Sequence, residues 1–244
     1  GNSFLCALAV DRARQVAYVA DRSLADWTGD SHPALLVVSL ETGETRRLLE
    51  DQPAVERDAV PITVDRRPVA HRALDGTVEK LRLGVSQLAL DPAGTFLYLA
   101  PLNAGTVWRV RTADLLDRKL AAEELATRVE SHAGRPSGNG LIADDRGRVV
   151  VADVEGHALR ITSSSGQVLL VQDPRLQWPD GLARGPEDWI YVTVNQLNLH
   201  PALNRGEEES RPPYGVFRIR LPAMLPRTEP RRPAPEASAD AGPG

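Results

Sequence analysis

The chain has 244 residues, of which 42% are hydrophobic and 25% charged, so it can build an ordinary globular core in one or two domains. Its 29 basic and 33 acidic side chains give a net charge of −4, which argues against nucleic acid as a partner. A single cysteine excludes an internal disulfide, and the scattered histidines predict no zinc-type cluster. No apolar run approaches the roughly 20 residues of a membrane helix.

The two ends of the chain differ from the part between them. The start lacks the charged, apolar and small-residue sections of a signal peptide. Residues 223–244 are rich in Pro, Ala, Gly and charge and have no apolar periodicity. Such a segment buries too little apolar surface to offset the entropy of ordering it. The sequence therefore predicts one folded domain over residues 1–222 and a disordered tail over residues 223–244.

The strongest pattern in the chain is a repeat of paired short apolar segments. In each copy a segment led by Leu is followed, nine or ten residues later, by a second segment, and a polar turn separates the two. This spacing predicts a β-hairpin. The four copies pair Leu8–Asp11 with Tyr18–Asp21, Leu88–Asp91 with Tyr98–Pro101, Leu141–Asp144 with Val150–Asp153, and Leu182–Gly185 with Tyr191–Val194.

Further strand-like segments follow each hairpin. A third alternating segment is found in every copy, at Ala34–Leu40, Gly105–Arg111, His157–Ser163 and Tyr214–Leu221. A fourth is recognisable in two copies, at Thr45–Glu50 and Val168–Asp173. Four strands per copy, repeated around an axis, are typical of β-propeller blades. The sequence therefore predicts an all-β fold, a β-propeller with four recognisable blades.

Two longer segments interrupt the repeat. Gln52–Gly84 contains a predicted hairpin over Val60–Ala73. In Thr112–His132, leucines recur at helical spacing, which predicts a helical insertion at Thr112–Val129 between the second and third blades. The last copy ends after its third strand, and no N-terminal strand is free to complete it. We therefore expect an open arc from which the earlier blades of a larger propeller are absent.

The repeat and several longer segments resemble the major royal jelly protein/yellow family over nearly all of Ser3–Leu221. The segments are ETGETRRLLE, PLNAGTVWRVRTADLL, VQDPRLQWPDGLA and YVTVNQLNLHPALN, and the most specific parts are Val171–Leu182 and Tyr191–Leu197. The resemblance implies a six-bladed propeller of which this chain carries the four later blades. It also implies a secreted protein that binds small molecules or, as in some insect members, acts on catecholamines.

The candidate site follows from propeller geometry. Because the innermost strand of each blade lines the central channel, the residues just before each leading Leu meet at one mouth of that channel, where ligands usually bind. Asn195 directly follows a strand and is placed to reach the same mouth. The predicted ligand-binding residues are Ser86, Gln87, Asn139, Asp180 and Asn195.

Asn139 and Asp180 are each followed by Gly, which would let the backbone turn tightly while an oxygen points at the channel axis. A more distant resemblance to the gluconolactonase-class propellers implies that such an Asn and Asp hold a divalent cation such as calcium, together with a Glu from an early blade. Asn139 and Asp180 are therefore the predicted metal ligands. The positions that correspond to them in the first two copies are Cys6 and Ser86, so part of that oxygen set is replaced.

Structural roles are open alternatives for these residues. Asn-Gly and Asp-Gly are ordinary turn dipeptides. Three acids that close strands beside turns are predicted to accept hydrogen bonds from turn backbone, and they are Asp11, Asp91 and Asp144. Cys6 is interpreted as a small buried residue and Trp178 as packing between blades. The histidines, which are His32, His71, His132, His157 and His200, are predicted to be solvated. No GxSxG, HExxH, P-loop or dinucleotide motif is present.

Three hypotheses of function follow. The first is a yellow-like propeller that binds a small organic ligand at the channel mouth without strong catalysis, and it assigns no cofactor. The second is a lactone hydrolase in which a divalent cation on Asn139 and Asp180 polarises a carbonyl and activates a water. The third is an interaction scaffold. None of them includes a nucleic-acid partner or a membrane span.

Overall fold

The computed structural model describes residues 3–23, 32–56, 60–72, 76–103 and 105–220. Most of these residues lie in β-strands, and four antiparallel sheets are arranged as the blades of a β-propeller. The predicted fold class is confirmed. The tail predicted at residues 223–244 lies outside the described residues. None of the described helices has the length and apolar character needed to cross a membrane.

Each blade runs from the channel outward in chain order. Blade 1 contains β1 (Leu5–Asp11), β2 (Val16–Asp21), β3 (Ala34–Ser39) and β4 (Thr45–Leu48). Two small ladders follow, one of β5 (Thr63–Val64) with β6 (Arg67–Pro68) and one of β7 (Ala70–Arg72) with β8 (Val78–Lys80). Blade 2 contains β9 (Val85–Leu90), β10 (Phe96–Pro101), β11 (Gly105–Arg111), helices α1 (Thr112–Leu116) and α2 (Ala122–Thr127), and β12 (Glu130–Arg135).

The remaining strands form the last two blades. Blade 3 contains β13 (Gly138–Ala143), β14 (Val149–Asp153), β15 (Ala158–Ser163) and β16 (Gly166–Gln172). Blade 4 contains β17 (Pro179–Arg184), β18 (Trp189–Val194), a 3₁₀ turn at Leu197–Leu199, and β19 (Gly215–Arg220). In the described residues blade 4 has three strands, whereas the other blades have four.

The helical insertion is present within the predicted residues Thr112–Val129, but its predicted placement between two blades is wrong. Helices α1 and α2 lie between β11 and β12, the third and fourth strands of blade 2, and not between two blades. Strand β12 was not recognised in the sequence because its residues, ESHAGR, are mostly polar and show no apolar alternation. Leu115 and Leu125 of the helices are buried in the apolar cluster that blade 2 shares with blade 1.

Apolar layers between neighbouring blades form most of the core. Tyr18 and Leu35 of blade 1 pack with Leu97 and Leu99 of blade 2, and similar layers join blade 2 to blade 3 and blade 3 to blade 4. The innermost strands β1, β9, β13 and β17 contact one another in that order. Alternating side chains of each strand therefore face the preceding and the following blade.

The outward faces of the two end blades are uncovered. On β1, Leu8 is 63% and Val10 is 42% exposed, and on β19 Val216 is 69% exposed. The side chains that correspond to Leu8 in the two middle blades, Leu88 and Leu141, are buried. Blade 1 and blade 4 thus each have one face that the described residues leave open. The expected six-bladed ring stays a prediction.

Residues 60–72 and 76–83 form what we call the cap, on the side where the innermost strands begin. Its apolar side chains Ile62, Val64 and Leu81 pack with Trp178 and Leu203 from the loops of blade 4 in one buried cluster. The hairpin predicted over Val60–Ala73 is present as the short β5–β6 ladder, and its last residue lies outside the described residues. Trp178 is fully buried beneath the cap.

Candidate functional site at the channel mouth

A β-bulge occurs at the same place in the innermost strand of each blade. The extra residue is Cys6 in β1 and Ser86 in β9, because the pairing with the second strand skips these positions. In β13 and β17 it falls within the pairs Asn139-Gly140 and Asp180-Gly181. A bulge bends a strand and redirects a side chain. The positions that the repeat places at the channel mouth are therefore the positions at which each strand is distorted.

Gly140 serves close packing, and neither it nor Gly181 forms a turn. Both pairs lie inside strands, so the alternative that they are turn dipeptides is wrong, and neither glycine has a positive φ. A Cβ added to Gly140 would lie 2.2 Å from the carbonyl oxygen of Asp180 and 2.7 Å from Cγ of Leu182. Gly140 thus permits the close approach of blades 3 and 4 that brings Asn139 next to Asp180.

Asn139, Asp180 and Asn195 form what we call the amide–carboxylate cluster. Nδ2 of Asn139 donates a hydrogen bond to Oδ1 of Asp180, and Nδ2 of Asn195 donates to Oδ2 of Asp180 at 2.6 Å. Oδ1 of Asn195 accepts a hydrogen bond from the backbone N–H of Leu197 at 3.2 Å, which orients its amide. The carboxylate of Asp180 is therefore held by neutral amide donors from two blades.

Burial raises the pKa of Asp180 above its ordinary value. The hydrogen bonds from Asn139 and Asn195 and the positive charge of Arg22 offset this effect only in part. Arg22, which follows β2, was not among the residues predicted from the sequence. Its guanidinium lies 3.9 Å from the centre of the Phe4 ring. The charge of blade 1 thus acts on the carboxylate of blade 4, so the two end blades face one channel mouth.

Two buried amide oxygens at the mouth have no hydrogen-bond donor. Gln87 is 1% exposed, and its Nε2 donates to the carbonyl oxygens of Pro101, at 3.1 Å, and Gly138. Within the described part of the chain, neither Oε1 of Gln87 nor Oδ1 of Asn139 has a hydrogen-bond partner. A buried acceptor without a donor costs about 1–3 kcal/mol. These oxygens are therefore available as acceptors for hydrogen-bond donors of a ligand or as ligands of a cation.

Ser86 and Cys6 are placed differently from the other predicted residues. Ser86 is 4% exposed, and its hydroxyl donates to the carbonyl oxygen of Gly84 at 2.9 Å. Among the described hydrogen bonds, none joins Ser86 to the amide–carboxylate cluster. Sγ of Cys6 lies 3.4 Å from the carbonyl oxygen of Val85, and burial raises the pKa of this thiol to about 11. Cys6 stays protonated at neutral pH and is a poor nucleophile.

At the opposite end of the channel, acids serve the turns. Asp11 accepts from the backbone N–H of Arg14 at 3.0 Å, and Asp91 accepts from that of Thr95 at 2.6 Å. Asp144 accepts from the backbone N–H groups of Arg146 and Arg148, both at 2.9 Å. The predicted turn role of these acids is confirmed. Nearby, the inner strands line an open groove of about 380 Å³ to which Leu8, Leu88 and Leu141 contribute apolar side chains.

The prediction that the histidines are solvated is wrong for His71 and His157. His71 is 2% exposed, in strand β7 of the cap. Nε2 of His157 lies 2.9 Å from Oδ1 of Asp65, and this side chain is 13% exposed. The reason in both cases is the cap, which covers loop positions that a bare propeller would leave in solvent.

The donor set at the mouth limits how a metal could be held. In the described part of the chain, no group of three or more His, Cys, Asp or Glu side chains is placed to bind a metal ion. Calcium also accepts amide oxygens as ligands. Asn139 and Asn195, however, turn their Nδ2 groups toward Asp180. Rotation of these amides would be needed before their oxygens and the carboxylate could share a cation.

No protein-family model matches the chain, and no curated protein matches it. Among solved structures it is similar to a gluconolactonase from Xanthomonas campestris, with 12% identity, a TM-score of 0.49, and 78% of this chain and 53% of that chain covered. It is also similar to virginiamycin B lyase from Staphylococcus aureus (9% identity, TM-score 0.42, 91% and 71% covered). A chain of a nidogen/laminin complex is also similar, with 16% identity, a TM-score of 0.40, and 88% of this chain and 80% of that chain covered. At this likeness neither a family nor an activity follows.

Proposed function

We propose that the protein binds a small organic molecule at the channel mouth, through a group of the ligand that donates hydrogen bonds. The observation that carries the proposal is the buried Oδ1 of Asn139, which accepts no hydrogen bond from the described residues and belongs to the amide that contacts Asp180. Oε1 of Gln87, whose amide bonds Gly138 next to Asn139, likewise accepts none from them. An ammonium or a hydroxyl group would satisfy these acceptors. An ammonium would also supply the positive charge that a half-buried carboxylate needs.

The same site argues against strong catalysis. The thiol of Cys6 has a raised pKa, and the hydroxyl of Ser86 is bonded to a backbone carbonyl, so neither is an activated nucleophile. The resemblance to the yellow family agrees with a small organic ligand and, within this proposal, with secretion. Recovery of the full gene product from the culture medium of its source cells would test secretion, and retention inside the cells would contradict it.

A divalent-cation-dependent lactone hydrolase is the second candidate. It is favoured by the contacts of Asp180 with Asn139 and Asn195. The amide of Gln87 lies near this cluster, since it bonds Gly138 next to Asn139. After rotation of the amides, carboxylate and amide oxygens of these residues would face a cation such as calcium. A bound cation would polarise a substrate carbonyl and lower the pKa of a water.

Calorimetric titration of the full chain distinguishes the two candidates. The probes are dopamine, as an ammonium-bearing molecule, and calcium chloride followed by glucono-δ-lactone. Dopamine should bind the wild type, and the Asp180→Asn variant should bind it at least about tenfold more weakly, because the negative charge is lost. Asp173→Asn, a change at a carboxylate outside the cluster that is paired with Arg175, is the matched control and should bind normally.

The outcomes separate cleanly. Dopamine binding that depends on Asp180 without a requirement for calcium supports the first candidate. Calcium binding at the mouth together with calcium-dependent lactone opening overturns it in favour of the second. The absence of saturable binding of either probe would contradict both.

A further inference from the structure

We propose that a second site, separate from the channel mouth, binds a short peptide in a cleft between the cap and the loops of blade 4. The cleft has a volume of about 1100 Å³. Both aliphatic and amide side chains line it, and the residues that matter most are Val64, Val69, Leu199, Leu203, Gln177 and Asn198. None of the amide–carboxylate cluster lines it. The proposal therefore stands apart from the proposed function.

Several contacts fix the walls of the cleft. The backbone N–H of Thr63 in the cap donates to Oε1 of Glu155 at 2.7 Å. Asp65 is bonded to His157, and Ala70 forms a parallel bridge with Asn204. The apolar cluster under the cap adds a buried anchor. The cleft is thus formed before a ligand arrives, which lowers the entropy that binding costs.

Two amide oxygens along the cleft accept no hydrogen bond from the described residues. They are Oε1 of Gln177 and Oδ1 of Asn198, and both are buried. The amide of Gln177 is bonded to Asp65. A ligand would reach the two oxygens after rotation of the terminal amides. By contrast, both ends of the Gln196 amide are used, since it donates to the carbonyl of Arg211 at 3.0 Å and accepts from its N–H at 2.8 Å. The unused acceptors call for N–H or O–H groups.

The charges around the cleft are balanced. Its lining contains equal numbers of acidic and basic residues, which are Asp65, Glu208, Glu209, Arg67, Arg175 and Arg211. Arg67 and Glu209 form a 2.7 Å ion pair, with side chains 66% and 44% exposed. Such an exposed pair contributes about 0–1 kcal/mol, so a ligand can open it at little cost. A ligand of large net charge, such as a phosphate ester, has no matching surplus here.

A peptide matches these features better than a saccharide. Its backbone N–H groups suit the unused amide oxygens, its aliphatic side chains suit the walls, and its two termini suit a rim with charges of both signs. The residues that line this part of the described structure include no aromatic ring on which a sugar could stack. The volume of about 1100 Å³ slightly exceeds the usual range for sites of drug-sized ligands, so more than one amino acid fits.

The test uses the full chain and calorimetry with the tripeptide Val-Leu-Val, with its acetylated and amidated form, and with maltotriose. Ser210 lies in the cleft lining, and the variant Ser210→Trp fills the cleft with an indole ring. Ser165→Trp is the matched control, because Ser165 is also an exposed-loop serine whose hydroxyl bonds a residue two positions earlier. Asn198→Leu removes one of the unused acceptors.

Saturable binding of the tripeptide by the wild type and Ser165→Trp is expected, with at least about tenfold weaker binding by Ser210→Trp and Asn198→Leu. Blocked termini should weaken binding as well. Asp180→Asn should leave peptide binding unchanged, which separates this site from the channel mouth. Equal thermal midpoints verify that each variant folds, and Asn198→Leu remains decisive if Ser210→Trp does not. Binding of maltotriose in place of the peptide, equal binding by both tryptophan variants, or no saturable binding overturns the proposal.

Discussion

Asp21 of blade 1 and Asp180 of blade 4 lie near the same end of the channel, yet they have opposite surroundings. Asp21 is fully buried and accepts hydrogen bonds from Nη1 of Arg47 at 2.6 Å and from the backbone N–H groups of Phe4 and Ser23. The carboxylate of Asp180 accepts from two neutral amides. The hydrogen-bond donors of Asp21 thus include the positively charged Arg47, whereas those of Asp180 are neutral amides.

The pKa values of Asp21 and Asp180 are shifted in opposite directions. Burial opposes ionisation of both groups, but for Asp21 the hydrogen bonds from Arg47 and its neighbours outweigh burial and hold the pKa below its ordinary value. For Asp180 burial prevails and the pKa is raised. A carboxylate that serves the fold is supplied with all its partners by the chain. A carboxylate left short of positive charge is what a ligand-binding mouth requires.

The largest expected effect is that of Asp21→Ala. Removal of the carboxylate leaves Arg47 and two backbone N–H groups without their acceptor, so the free energy of unfolding should fall by about 2–4 kcal/mol. Urea denaturation at neutral pH measures this change as a lower midpoint with an unchanged slope. A loss below about 1 kcal/mol would mean that Asp21 is no more structural than Asp180.

Asp180→Asn should affect binding and not stability. The new amide can be accommodated by rotation of Asn139, whose Oδ1 is free to accept from it, so the free energy of unfolding should stay within about 1 kcal/mol of the wild type. Ligand affinity at the mouth should fall at least about tenfold. If urea denaturation shows a loss as large as that of Asp21→Ala, Asp180 belongs to the fold.

The two carboxylates should give pH dependences of opposite sign. The lowered pKa of Asp21 stabilises the fold above the ordinary carboxyl pKa of 3.8, and this stability is lost as the pH falls through the folded-state pKa. The raised pKa of Asp180 means that the folded state holds this proton more tightly than the unfolded state. Its contribution to stability is therefore greatest below 3.8 and is lost as the pH rises through the folded-state pKa.

Unfolding free energies of the wild type, Asp21→Asn and Asp180→Asn, measured across this range, test the signs. On acidification the advantage of the wild type over Asp21→Asn should shrink. Relative to Asp180→Asn, the wild type should gain stability over the same range. If the unfolding free energies of the two variants changed with pH in the same way, the proposed difference between Asp21 and Asp180 would be contradicted.

The smallest effect on ligand binding is expected for Asn195→Ala, which keeps the negative charge of Asp180. This change removes one hydrogen bond that favours the charged form of Asp180, so the pKa of that carboxyl should rise further. The free energy of unfolding should change by about 0.5–1.5 kcal/mol. Carbon NMR of the Asp180 carboxyl follows the titration directly, and the pH midpoint of ligand binding should move upward with it. A downward shift would show that Asn195 does not support the ionised state.

Much of the fold could be predicted from the sequence because the blade repeat is local. The leading Leu of each copy and its partner nine or ten residues later define a hairpin without reference to the rest of the chain. Strand β12 could not be found in this way, since an outer, half-exposed strand such as ESHAGR needs no apolar alternation. The helices of blade 2 were recognised by their spacing, but their position depended on that missing strand.

The candidate site was predictable in position and not in detail. The count of residues before each leading Leu placed Asn139, Asp180 and Gln87 at the mouth, because equivalent positions in adjacent blades differ only by rotation. Two details depend on packing between blades that are distant in sequence. One is whether Oδ1 of Asn139 accepts a hydrogen bond, and the other is the effect of the Arg22 charge on Asp180. The cleft beside the cap could not be predicted, because the cap lies outside the blade repeat and no local sequence pattern indicates a cleft there.

The three described strands of blade 4 have a consequence for solubility. Among the described residues, β19 is the last strand of its sheet, and a strand edge without a partner is a template for pairing with another polypeptide. Val216, Arg218 and Arg220 alternate along its exposed face, so two of these three positions carry positive charge. Arg218 also lies over the Trp189 ring, at 4.5 Å from its centre. Because charged side chains on a strand oppose association with another chain, we expect these arginines to disfavour aggregation at β19.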